Sequence, residues 1–213
     1  KNIAYLAKHC ERVYALNPDL LNVLPADAKF IPYSHVDFSD WKASYDGLRS
    51  QRPLRFVHAP THRRVKGTDL ILESLEALEG EGFAFELILV EGMSQAEART
   101  HYEQADVLID QLFAGWYGGL AVELMALGKP VLVYLREEDL HFIPEQMRAD
   151  LPFINANPFT IKDRLRDVLC MSREELVDLA QRSRAYVERW HDPVQIAASI
   201  ADDYLVSINA REK

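Results

Sequence analysis

The chain has 213 residues, 48% of them hydrophobic, which is enough to bury a proper core and suggests one to two domains. A net charge of -9 and a pI near 5.3 exclude a general binder of nucleic acid or of anionic membrane, because such partners are drawn by a surplus of Lys and Arg. Any phosphate must therefore be held locally.

Cys10 and Cys170 lie far apart and fit neither a disulfide framework nor a zinc ribbon, so a reduced, cytoplasmic setting is expected. No apolar run reaches the roughly 18 residues of a membrane span, and no signal peptide opens the chain. The sequence begins at Lys1 without Met and enters mid-pattern, which predicts a part of a longer protein.

In chain order, "ERVYALNPDLLNVLP" reads as a short strand, a turn and a short helix started by Asn17-Pro18-Asp19. "AKFIPYSHVDFSDW" runs extended past Pro32, and "KASYDGLRSQRP" is polar enough for a linker, with a boundary near Arg49. From Leu54 onward, "LRFVHA", "FELILVE", "DVLID", "PVLVYL" and "PFINA" are too short for globular helices, and several are rich in Val and Ile, as strands buried on both faces are. Between them, "GTDLILESLEALEGEG" places Ile71, Leu75 and Leu78 on one helical face; "SQAEARTHYEQA" and "GLAVELMALG" are two further helices. Parallel crossovers need about a dozen residues, so this alternation predicts an α/β fold with a Rossmann-like parallel sheet flanked by helices. Beyond Asp150, "NPFTIKDRLRDVLC" and "SREELVDLAQRSRAYVERW" carry N-caps and apolar stripes (Leu176, Ala180, Ser183, Val187, Trp190), and His191-Asp192-Pro193 precedes a last helix.

In open parallel sheets ligands bind at the carboxyl ends of strands, and two loops there have unusual content. In "VHAPTHRRVKGTD", Arg63, Arg64 and Lys66 crowd ahead of Gly67 and Thr68, where the next helix is expected to begin. Cations at a helix amino end oppose its dipole, and a bound anion would resolve the conflict; a solvated basic loop is the plainer alternative. His58 and His62 are separated by Pro60, which rules out a helical zinc pair. In "QLFAGWYGGLAVELMALGKPV", Gly118 and Gly119 let a ligand approach the backbone and would leave free N–H groups at the helix start, a geometry suited to a diphosphate. Glu123, one turn on, can accept hydrogen bonds from two vicinal hydroxyls such as those of a ribose. An acid favoured only by the dipole is the alternative. Trp116 and Tyr117 would then be a packed loop and Lys129 a C-terminal dipole partner. No Walker A, G-x-G-x-x-G, G-x-S-x-G or D-x-D motif occurs.

Together the loops resemble the donor half of a GT-B glycosyltransferase, specifically the retaining family 4 group, over roughly residues 10 to 205. That family has an Arg followed shortly by Lys-Gly after its first strand and a later segment E-G-F-G-x-x-x-x-E-A-M-A-x-G-x-P-V. The second segment matches at Gly118, Glu123, Ala126, Gly128 and Pro130-Val131, aligned without a gap from Ala105 to Val131. The resemblance implies a tail of an acceptor domain plus linker over 1–48, a nucleotide-sugar-binding domain over 49–190 and a crossing helix over 191–213. It also implies that Arg63 (with Arg64 in reserve) and Lys66 neutralise the donor diphosphate and stabilise the departing nucleotide. Gly67, Gly118 and Gly119 would lie along those phosphates, and Glu123 would hold the ribose. No metal or cofactor is implied; the partners are a nucleotide-sugar donor and a glycan or lipid-linked acceptor. In two places the sequence departs from the family. The acid that contacts the transferred sugar falls on Gly115, with Asp110 and Gln111 as candidates to take its place, and the extra strand that reads the base is missing between "FELILVE" and "DVLID". Transfer of a sugar with retention is the reading this supports. A nucleotide-sugar epimerase of the same fold and a non-catalytic nucleotide-sugar-binding module are the alternatives, and this chain alone is expected to bind without efficient transfer.

Overall fold

Each of the five apolar runs forms a strand, and the amphipathic segments between them form the crossovers that a parallel sheet requires. The computed structural model describes residues 2–211. Helix α1 (Asn2–His9) precedes β1 (Tyr14–Ala15), a 3-10 turn over Pro18–Asn22 and β2 (Lys29–Phe30); β1 and β2 pair in parallel as a separate ribbon. A helical turn, α2 (Asp46–Arg49), is followed by β3 (Leu54–His58), α3 (Arg63–Lys66), α4 (Thr68–Gly80), β4 (Phe85–Leu89), α5 (Gln95–Gln104), β5 (Val107–Ile109), α6 (Gly119–Ala126) and β6 (Val131–Val133). A 3-10 segment (Glu137–Phe142), α7 (Glu145–Ala149), β7 (Ile154–Asn155), α8 (Ile161–Cys170), α9 (Arg173–Trp190) and α10 (Pro193–Arg211) complete the chain. The main sheet has the order β4-β3-β5-β6-β7, with every pair parallel.

Strand alternation divides the core in two. Phe56, Val107, Ile109 and Leu132 face α4 and α8, meeting Ile71, Leu75, Leu78, Ile161, Leu165 and Val168. Val57, Leu108, Val131 and Val133 face the other way, toward α5, α6 and α9. Each fully buried Leu, Ile or Phe contributes about 1.5 to 3 kcal/mol relative to exposure, so the two faces hold the sheet from both sides. Ser94 and Ser172 start α5 and α9 with reciprocal capping boxes to Glu97 and Glu175.

Several elements depart from the sequence expectation. The stretch read as a linker contains α2, whose Leu48 is buried in the core, and Arg52 chelates the buried Asp106 at 2.7 and 3.0 Å. Arg63 to Lys66 are themselves a helical turn that ends at Gly67 in the left-handed conformation (φ 75°), instead of a loop leading into α4. Segments of one turn are shorter than the period that would reveal them. At the far end, Asp203 of α10 accepts from Tyr14 Oη at 2.7 Å and pairs with Arg12 and Lys29, which lays the helix along the β1–β2 ribbon.

Candidate functional site

After β3 the chain crosses to β4 on one side, then returns to place β5 on the other, so the switch point lies between β3 and β5. Those two strands are in register only at Phe56↔Val107 and Val57↔Leu108. Past these pairs the loops that lead to Gly67 and Gly118 run on from the carboxyl ends of the two strands, where sheets of this kind bind ligands in a crevice.

His58 ends β3 beneath it, fully buried, with Nδ1 2.8 Å from the Ile109 carbonyl and Nε2 2.8 Å from Thr68 Oγ1. A carbonyl only accepts, so Nδ1 carries the proton and Nε2 takes the Thr68 hydroxyl. Burial lowers the pKa and keeps the ring neutral, pinning β3, β5 and α4 together. Gly67 then turns the chain between α3 and α4; a Cβ there would come within 3.0 Å of Leu112 Cβ, and the Leu112 N–H donates to the Lys66 carbonyl. The two loops are thus fastened to each other.

Lys66 Nζ meets Asp110 Oδ1 at 2.5 Å, and the other oxygen of Asp110 accepts the Gly118 N–H at 3.1 Å. The side chains are 12% and 1% exposed. The Gly118 N–H, expected to be free, is therefore held by an internal carboxylate, because Asp110 is carried into the crevice by the strand preceding it. Asp110 is the central group that sequence reasoning ranked only as a substitute; its signal was a charged residue ending an all-apolar strand.

Glu123 projects from α6, and its Oε1 lies 3.4 Å from Nε2 of His35. The His35 ring covers the start of α6, at 3.1 Å from where a Gly119 Cβ would stand, so glycine is what lets the ring in. On the other side, burial and then the charge of Glu123 raise the pKa of Tyr102. Nothing in "PYSHVD" marks His35, which reaches Glu123 only through the fold.

The remaining candidates are distributed differently. Lys66 and Gly118 meet at Asp110, with Gly119 beside them and Glu123 one turn along α6, whereas Gly67 lines the hollow that holds Arg63. The Arg63 guanidinium pairs instead with Glu91 at 2.8 Å, beyond β4, and lies 3.6 Å from Asp69. With His62, Arg64 and Phe113, Arg63 lines a separate open hollow of about 660 Å³. At Gly115 a Cβ would stand 2.5 Å from Arg136 Cβ, and the Arg136 N–H donates to the Gly115 carbonyl, so Arg136 fills the space the family's acid would need. Trp116 and Tyr117 are buried packing residues, as the plainer reading had them. Gln111 donates to the Trp116 carbonyl instead of facing the crevice. Lys129 is buried and reaches the carbonyls of Ser44 and of Glu103, in the last turn of α5, at 3.4 Å each, so it serves that helix end and not its own. Among the described residues no group of three or more His, Cys, Asp or Glu side chains could hold a metal ion, and no helix is long and apolar enough to cross a membrane.

A parallel sheet whose switch point gathers a lysine, helix-start glycines and two carboxylates defines a Rossmann-like α/β domain. More particularly, the chain has the fold of the C-terminal half of GT-B glycosyltransferases. Sucrose-phosphate synthase from Thermosynechococcus elongatus superposes with a TM-score of 0.68 at 16% identity, over 98% of this chain and 61% of that one. HepE from Anabaena, in complex with UDP and glucose, gives 0.67 at 14% identity over 95% of this chain and 65% of HepE. WaaG, a glycosyltransferase involved in lipopolysaccharide biosynthesis, gives 0.57 at 15% identity over 89% and 61%. The chain thus spans less than two thirds of the length of these proteins. No protein-family model and no curated protein matches the sequence.

Proposed function

We propose that this chain is the donor-binding half of a glycosyltransferase of the retaining, family 4-like kind, holding a nucleoside diphosphate sugar without a metal ion. The observation that carries the reading is the convergence of Lys66 and the Gly118 backbone on one point of the switch crevice, with Glu123 one turn further along α6. An ammonium aimed at the start of a helix is suited to a pyrophosphate, and a carboxylate beyond it to the ribose hydroxyls. In transfer, the negative charge that grows on the departing nucleotide would be met by Lys66 and by backbone N–H donors already in place, so stabilisation would need no rearrangement of distant groups. Asp110 is an internal anion on Lys66 and Gly118, and a diphosphate would share both with it. Arg63 joins this site only if its side chain leaves Glu91. The acceptor is a glycan or a lipid-linked molecule.

HepE supports the donor class, since it is described with UDP and with UDP-glucose bound. A thermal-shift screen of UDP, GDP, ADP and their sugars tests it, because a ligand specific to the native state raises stability by mass action. A rise with one nucleoside diphosphate, absent in Lys66→Met, is expected; no rise with any of them would end the proposal. A second reading, a module that binds nucleotide sugar without transferring it, is favoured by the filling of the Gly115 position by Arg136. Donor binding with no turnover, even in a longer protein containing this chain, would select it.

A further inference from the structure

Next to the crevice lies a buried row of polar side chains with no part in the function proposed above. Tyr117 Oη is 2.9 Å from Tyr186 Oη and 2.9 Å from His191 Nε2, and His191 Nδ1 is 2.8 Å from the carbonyl oxygen of Tyr33. Tyr117 and His191 are 0% exposed and Tyr186 is 2% exposed. The Tyr33 carbonyl only accepts, so Nδ1 carries the ring proton. Nε2 of the neutral ring then accepts from the Tyr117 hydroxyl, whose oxygen accepts in turn from Tyr186. Every member is satisfied, in one arrangement only. Tyr117 is also stacked on Phe153 with ring centroids 4.5 Å apart.

The row joins parts of the chain that are distant in sequence. Tyr117 immediately precedes Gly118. Tyr186 lies in α9, His191 closes that helix just before Pro193 opens α10, and Tyr33 belongs to the extended segment after β2. We propose that His191 is a positioning residue of the candidate donor site: through Tyr117 it sets the Gly118 backbone according to where the Tyr33 segment and the α9–α10 junction stand. The proposal rests on the reading of Gly118 as a donor contact.

The physical basis is the rigidity of one peptide plane. The Gly118 N–H lies in the planar unit that it shares with the Tyr117 carbonyl, so once Tyr117 is anchored a single rotation, about its Cα–C bond, separates the N–H direction from the placement of Tyr117, and the bond to Asp110 opposes that rotation. Tyr117 cannot turn away without leaving its own hydroxyl and His191 Nε2 buried and unpaired, which is costly. A shift of either outlying segment is therefore carried through contiguous, tightly packed groups to the N–H that Asp110 holds beside Lys66.

The test uses the full chain with His191→Asn, His191→Gln and Tyr117→Phe, the last removing one oxygen only. Asn can keep the bond to Tyr33 but has no acceptor reaching Tyr117, whereas the Gln carbonyl can reach the Tyr117 hydroxyl. Amide hydrogen exchange of Gly118 and Val57 is followed by NMR without ligand, and UDP affinity by calorimetry. In His191→Asn and Tyr117→Phe, Gly118 is expected to exchange about tenfold faster while Val57 in β3 is unchanged, UDP affinity falls by a similar factor, and His191→Gln recovers most of both. Unchanged Gly118 exchange in His191→Asn and Tyr117→Phe would overturn the proposal, as would an equal acceleration at Val57. A selective response at Gly118 in a chain whose wild type binds none of UDP, GDP and ADP would support the coupling and retire the donor reading.

Discussion

Lys66 and Glu123 each have a resident partner, and the two pairs differ in what their loss should do. Asp110 is 1% exposed, so Lys66→Met leaves a buried carboxylate supported mainly by the Gly118 N–H. A destabilisation of about 3 kcal/mol in urea unfolding is expected, partly recovered when Asp110→Asn is added, since breaking a buried pair costs more than removing both charges. Glu123 stands in a more open setting, facing His35, which is 41% exposed. Glu123→Ala should therefore leave the melting temperature nearly unchanged and weaken nucleoside diphosphate binding by about 1 to 3 kcal/mol, through the loss of charge-assisted hydrogen bonds. Unfolding of the variant without loss of affinity would give Glu123 a structural role instead, although it stands beyond the first turn of α6, outside the position where the dipole alone favours an acid.

Between elements, the loops after β3 and β5 depend on close approaches that only glycine permits. Gly67 has φ 75° and faces Leu112, so Gly67→Ala combines backbone strain with a contact of 3.0 Å and should cost about 1 to 3 kcal/mol by urea unfolding. Gly115→Glu should destabilise because its Cβ would overlap Arg136; paired with Arg136→Ala it should be tolerated, and thermal melts of the two proteins would tell. The elements themselves were largely legible. Short apolar runs marked all five strands of the sheet, and Ile71, Leu75 and Leu78 marked the buried stripe of α4. Single turns such as α2 and α3 were not, since four residues carry no readable period. The candidate site was legible by residue type and not by partnership. Glycines, lysine and acid announced themselves by type and spacing, whereas the Lys66–Asp110 and His35–Glu123 pairs are products of the tertiary fold, and the pairing of Arg63 with Glu91 drew it away from the crevice.

For the molecule as a whole, stability should carry the signature of its buried imidazoles. Burial lowers the pKa of His191 from 6.5 to about 4, so the unfolded chain binds a proton that the native chain refuses between those values. The stabilisation of the neutral ring is complete above pH 6.5 and is lost as pH falls toward 4. The advantage of wild type over His191→Asn should shrink by about 3 kcal/mol from pH 7 to pH 4, a difference read from urea unfolding at the two pH values. His58 shifts in the same direction in both proteins and cancels in that comparison. The strand order has a consequence of another kind. No two neighbours in the main sheet form a hairpin, and the strands that frame the crevice, β3 and β5, are separated in the chain by the whole excursion through β4. Such distant pairing closes late in acquiring structure, and no excised peptide could reproduce the crevice. On the proposed donor reading, capture of a fluorescent nucleotide during refolding would therefore time the completion of the sheet itself.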